Sequence, residues 1–277
     1  ADLKQLYLTQ LTALAAELRQ VLLNKFSQTG GHLGPNLGVV ELTIAFHTIF
    51  NSPTDKVVWD VSHQSYTHKI LTGRKQAWLD AEHYADVSGY TEPEESPHDY
   101  FNIGHTSTSI ALATGMASAR DLQHKTGNVM AVIGDGSLSG GLALEGLNMA
   151  ATLNSNLIIL VNDNNMAIAE NHGGLYTNLK ELRETHGQAK TNLFTAMGLD
   201  YRYVEDGNDL ATMLAVFKDI KDIDHPIVLH VHTEKGHGYQ PAITHKEAFH
   251  WHVPFDLATG KTLHPSTGET YTDVMHQ

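Results

Sequence analysis

At 277 residues the chain can bury a full core and, as an α/β protein, can form one large domain. A formal net charge of −13 argues against a general nucleic-acid or anionic-membrane binder, which would carry a basic stripe. The lack of cysteine excludes disulfides, thiolate zinc sites and a cysteine nucleophile; charged residues, at 18% against a usual fraction of about a quarter, leave surface for a partner to cover.

The chain opens at Ala1 without Met, already inside a helical pattern, which reads as a trimmed start. Leu3, Leu6, Leu11, Leu14, Leu18, Val21, Leu22 and Phe26 recur at helical spacing and predict an amphipathic helix from Asp2 to about Lys25, with Asp2 capping and Gln5 three residues on. Gly30 to Gly38 (GGHLGPNLG) is too glycine-rich for an element and implies backbone placed close to something. Val39 to Phe50 reads as a helix, Lys56 to Val61 as a strand, and Ser62 to Tyr66 as the opening of a helix through Leu71. No Lys or Arg occurs from Gln76 through Ala119, and within that gap Thr91 to Asp99 (TEPEESPHD) reads as a loop in which Glu92, Glu94 and Glu95 are solvated. A small-residue helix follows from Ile110 to about Gln123.

The most informative stretch runs from Val132 to Met166. It reads as a buried strand ending in Gly134-Asp135-Gly136, a helix, and a second apolar strand ending in Asn162-Asp163-Asn164. Asp135 and Asn164 then stand at the carboxyl ends of two parallel strands, the edge where open α/β sheets bind ligands. An oxygen ligand beside free backbone N–H groups suits a Mg²⁺-bound phosphate or diphosphate, although a bare Asp-Gly turn is the plain alternative. Beyond it, Gly173 to Lys190 reads as loop plus short helix, Leu199 to Val204 as a strand, Asp209 to Ile220 as a helix and Pro226 to Thr233 as a strong last strand. Strands alternating with helices predict an α/β fold: a doubly wound, mainly parallel sheet with helices on both faces. No signal peptide or apolar run of membrane-spanning length is visible, so a cytoplasmic protein without membrane contact is expected.

The Gly134-Asp135-Gly136 and Asn164 pair resembles the thiamine-diphosphate fingerprint. Four further segments then occur in order: GGHLGPNLGVVELTIAFH (30–47), WDVSHQSYTHKILTGR (59–74), GHTSTSIALATGMA (104–117) and TEKGHGYQPA (233–242). Together they closely resemble the diphosphate-binding domain of the 1-deoxy-D-xylulose-5-phosphate synthases, which are transketolase-like enzymes. The resemblance implies Asp135 and Asn164 as Mg²⁺ ligands with a backbone carbonyl near Met166. It implies His63, Gly104, His105, Thr106, Gly136, Ser137, Asn164 and Tyr239 as cofactor contacts, with Lys235 as a diphosphate neighbour whose rival reading is a solvated lysine. His32 matches a histidine facing the cofactor's reacting carbon, and His250 a family histidine in FHWHVPFD; with His63 they are the catalytic candidates. His230 and His232, like His250 and His252, lack a third ligand at diagnostic spacing, so zinc is not expected there.

The implied reaction is decarboxylation of pyruvate and carboligation to glyceraldehyde 3-phosphate, in a homodimer that uses thiamine diphosphate and Mg²⁺. Three departures from the family pattern matter, the first two for the second substrate. Pro35 stands where the family pattern has Ser, the loop before Glu95-Ser96 lacks the usual Lys or Arg, and the segment after Tyr176 is shortened. Residues 1–254 read as the cofactor domain and 255–277 as a linker, with Thr270 to Val274 resembling the start of a pyrimidine-binding domain. That domain supplies the glutamate that activates the aminopyrimidine ring, so this chain holds half a site. A split transketolase-type subunit acting on other sugar phosphates, or a non-catalytic cofactor-binding remnant, are the competing readings.

Overall fold

Five parallel strands carry the molecule, seen in a computed structural model that describes residues 2–263 together with Pro265, Gly268, Val274 and Met275. They are β1 (Lys56–Trp59), β2 (Val129–Gly134), β3 (Leu157–Asp163), β4 (Asp200–Val204) and β5 (Pro226–His232). Their order across the sheet is β1-β2-β3-β5-β4, with every neighbouring pair parallel. Successive residues point to opposite faces: Met130, Val132, Ile158 and Leu160 enter one core cluster, Ala131, Ile133, Ile159 and Val161 the other. Both faces are covered, which is why these strands read as unbroken apolar runs instead of alternating ones.

The helices sort between the faces by the direction in which the chain crosses the sheet. From β1 to β2, β2 to β3 and β3 to β4 the chain moves one way, and helices Ser109–Leu122, Gly141–Ala150 and Gly174–Glu184 pack on one face. From β4 to β5 it doubles back, and helix Leu210–Ile220 lies on the other face with Leu8–Thr29 and Val40–Ile49. Right-handed crossovers require that switch, because reversing direction moves the connection to the opposite face. The doubly wound expectation therefore holds.

Details differ from the sequence reading where long-range packing decides. Residues Asp2–Gln5 form a separate 3₁₀ turn, and the main helix runs Leu8–Thr29, with the Gln10 side chain accepting the Tyr7 N–H at 2.9 Å. The polar stretch after Gly173 is largely helix Gly174–Glu184, anchored by buried Leu179 and Leu182 three positions apart. β1 stops at Trp59, because Val61 and Ser62 turn through positive φ. Phe255, expected to open a linker, donates its N–H to Ser27 O at 2.9 Å and is buried against Tyr239 and Phe249, so packing continues beyond residue 254. The Thr270 to Asp273 part of the C-terminal resemblance lies outside the described residues. Among the described residues no helix is long and apolar enough to cross a membrane.

Candidate active site

The carboxyl edge of the sheet opens into a cavity of about 320 Å³. β2 ends at Gly134 and hands the chain to Asp135, the first residue of the short helix Asp135–Leu138; β3 ends at Asp163, immediately before Asn164. Gly134 pairs in register with Asn162, so the two strand ends lie side by side. Gly136 is required by close approach, since a Cβ there would stand 2.6 Å from the Ala167 Cβ.

Asp135 is buried. One of its oxygens accepts the Gly136 N–H at 2.9 Å and the other the Asn171 amide at 2.9 Å. Burial, and secondarily the neighbouring Asp163, push its carboxyl well above the ordinary value. Asp163 goes the other way: burial opposes ionisation, but His230 at 2.8 Å and the Arg183 guanidinium outweigh it and hold the carboxyl far down. His230 uses its second ring nitrogen on the Tyr201 hydroxyl at 2.8 Å, so both of its nitrogens serve structure. The Asn164 Oδ1 is buried and has no hydrogen-bond partner. A desolvated carboxyl and an orphaned amide oxygen lining one cavity are hard oxygen donors, and a hard divalent cation fits them. Among the described residues no cluster of three or more His, Asp or Glu side chains could hold a metal, so a cation here would need amide or backbone oxygens beside the Asp135 carboxylate.

Three histidines form a triangle across the same cavity. Ring centroids are 5.0 Å apart for His32 and His63, 5.6 Å for His32 and His250, and 5.4 Å for His63 and His250. Two loops are pinned together to make this possible: Gly31 bridges His252 in antiparallel fashion and Gly34 N–H donates to Phe249 O at 2.8 Å. Gly30 and Gly31 have φ of +69° and +142°, a path open mainly to glycine. Burial lowers all three histidines, His63 well below its ordinary value and His250 to about 4, with the rings and Lys235 lowering the latter two further. All three are neutral at pH 7. The Nδ1 atoms of His63 and His250 are buried without a partner.

Of the residues expected at the site, His32, His63, Thr106, Asp135, Gly136, Ser137, Asn164, Met166, Lys235 and His250 line this one cavity. Lys235 is buried rather than solvated; its ammonium donates to Ala167 O at 2.7 Å, and burial lowers its pKa to about 8. Gly104 and His105 are exposed beside Thr106, and the His105 Nδ1 bonds Thr106 O at 2.9 Å. Tyr239 does not reach the cavity: its ring packs against Phe249 and Phe255, and its hydroxyl donates to Leu257 O at 3.0 Å. The wall also includes Pro35, Val61, Gln64 and Ile168. Of these, only Pro35 stood out in the sequence, as a departure from the family pattern. Val61, a β-branched residue at φ +56°, is a local strain beside the cavity.

The loop that lacks cations is not simply solvated. Glu95 accepts from the Lys69 ammonium at 2.7 Å and lies 3.3 Å from Arg74, which also takes Asp99 with two bonds of 2.6 and 3.0 Å. Glu94 is exposed, as expected.

A family model described as 1-deoxy-D-xylulose-5-phosphate synthase matches residues 1–191 and 184–233. The 1-deoxy-D-xylulose-5-phosphate synthase 1 of Geobacter sulfurreducens is 44% identical over 99% of this chain and 49% of its own length. The synthase of Syntrophomonas wolfei is 42% identical over 99% of this chain and 48% of its own. The chain thus spans about half the length of the curated relatives it matches. Among solved structures, transketolase from Campylobacter jejuni covers 90% of this chain with a TM-score of 0.67 at 19% identity, over 41% of its own chain. Transketolase from Leishmania mexicana covers 91% with a TM-score of 0.68, also at 19% identity, over 40% of its own. These two show a common fold.

Proposed function

This chain belongs to the 1-deoxy-D-xylulose-5-phosphate synthase family, and we propose that its cavity holds the diphosphate and Mg²⁺ of thiamine diphosphate. The observation that carries the reading is the buried, partnerless Asn164 Oδ1 beside desolvated Asp135 at the ends of adjacent strands. Asp135, Asn164 and a main-chain carbonyl near Met166 would hold the metal, and the Gly136-Ser137 turn, Thr106 and Lys235 would face the diphosphate. Thiamine diphosphate, when bound, supplies a nucleophilic carbon that the protein lacks.

The residues of this chain then bind, orient and move protons. His32, His63 and His250 are held neutral, so each can accept or donate a hydrogen bond near neutral pH. The whole enzyme would decarboxylate pyruvate and join the two-carbon unit to glyceraldehyde 3-phosphate. Lys235 is the one lysine or arginine lining the cavity among the described residues, and Lys69 and Arg74 are committed to Glu95 and Asp99. The countercharge for a phosphorylated acceptor would therefore come from the pyrimidine-binding half of the site.

Calorimetry of thiamine diphosphate binding, with and without Mg²⁺, tests the reading. Asp135→Ala should weaken the Mg²⁺-dependent binding by more than about a hundred-fold, beyond what an outer-shell partner contributes. Equal affinity in variant and parent overturns the metal assignment.

A further inference from the structure

Gln64 stands in the cavity wall with one end of its amide tied down and the other facing the cavity. The tie is directional and long-range. The Thr233 hydroxyl, just past β5, donates to Asn162 Oδ1 at 2.5 Å, and Asn162 Nδ2, on β3, donates to Gln64 Oε1 at 3.0 Å. Asn162 and Thr233 are buried, so this relay runs dry across the carboxyl edge of the sheet. With Oε1 occupied, the Gln64 NH₂ group is turned outward. It lies beside the Gly134 turn, where an added Cβ would stand 3.7 Å from Nε2. An amide NH₂ offers two donors and no acceptor, so it suits an anion and not a metal ion.

We propose that Gln64 is a diphosphate-binding donor of this site, oriented by the Asn162–Thr233 relay; the proposal rests on the cofactor reading above. Its sense of direction separates it from a mere tether between the β1 end and β3. A tether would survive reversal of the amide, whereas a donor to an anion would not.

The test uses the full chain, with Mg²⁺ plus thiamine diphosphate and, separately, Mg²⁺ plus inorganic diphosphate as calorimetric probes. Gln64→Ala should weaken both by about ten-fold, the scale of a hydrogen bond to a charged group. Gln64→Glu, nearly isosteric, should weaken both further by setting a carboxylate against the anion. Asn162→Asp cannot donate to Gln64, so the amide reverses and presents oxygen to the diphosphate. It should weaken binding at least as much as Gln64→Ala, and the two losses should be less than additive when combined. Circular dichroism and thermal melts identify any variant that fails to fold, and Gln64→Glu serves if Gln64→Ala does. Parent-like binding of inorganic diphosphate by both Gln64 variants overturns the proposal alone. Loss of thiamine diphosphate affinity with inorganic diphosphate unaffected overturns the diphosphate assignment. A parent that binds neither probe overturns the cofactor reading and this proposal with it.

Discussion

Keeping three imidazoles neutral within one cavity costs the protein acid stability, and the sign of that cost follows from the shifts. His250 titrates at about 4 in the folded chain against 6.5 in a free histidine, because burial, Lys235 and His32 all disfavour the cation. The unfolded chain therefore binds more protons between those values. The stability contribution is complete above about pH 6.5 and is lost as pH falls toward 4. His63 and His32 shift in the same direction. His250→Gln should consequently show a smaller drop in Tm between pH 7.5 and pH 5 than the parent. The difference should be roughly 2–4 °C, taking ~1 kcal/mol after discounting for partial exposure. Thermal melts at the two pH values measure it, and parallel losses in variant and parent would contradict the assignment. These histidines were legible in the sequence because each sits inside a contiguous motif. Gln64 was not, because the contacts that orient it span 98 and 71 positions and no local spacing encodes them. Tyr239 shows the converse: a residue inside a quoted motif whose hydroxyl is spent on Leu257 O.

Among the elements, the segment without lysine or arginine is the one whose neighbours change its meaning. Read alone, Thr91 to Asp99 is an acidic loop; in the fold it is latched to the stretch that begins at helix Tyr66–Lys69. Asp99 takes two bonds from Arg74, one from His68 Nε2 at 3.0 Å and one from the Glu92 N–H at 2.9 Å; despite its burial these hold its carboxyl far below the ordinary range. His68 in turn contacts His47 at 2.9 Å. Tyr90, just before this loop, places its ring centroid 6.3 Å from that of His32, so the latched segment adjoins a cavity-lining histidine. Removing one partner of a buried ionic set leaves the others uncompensated, which costs more than the intact pair contributes. Asp99→Ala should accordingly lower the unfolding free energy by about 3 kcal/mol or more in urea titrations. A loss below ~1 kcal/mol would mean that Arg74 relaxes onto Glu95 or water and the latch is weak. The sequence concealed this because the cations lie on an earlier element, outside the gap that drew notice.

At the scale of the whole molecule, the sheet was the most legible part. Apolar strands alternating with amphipathic helices permit few arrangements once crossovers must be right-handed, and Asp135 and Asn164 fall at the ligand-binding edge of that arrangement. The same topology limits what these residues can do alone. Asp135 is the one carboxylate lining the cavity among the described residues, and in the proposed metal-holding role it could not also act as the acid that activates an aminopyrimidine ring. On the proposed cofactor reading, that second carboxylate would come from a pyrimidine-binding half, whether in the same or another polypeptide. Residues 1–277 by themselves should therefore bind thiamine diphosphate with Mg²⁺ and give no 1-deoxy-D-xylulose 5-phosphate from pyruvate and glyceraldehyde 3-phosphate. Adding a pyrimidine-binding half from a homologous synthase should restore product, measured by chromatography of the reaction mixture. Product formed by these residues alone would show that the chain carries its own activating acid. Binding without product, even with the added half, would favour a cofactor-binding remnant, because the metal pair would then be intact while the chemistry it supports is gone.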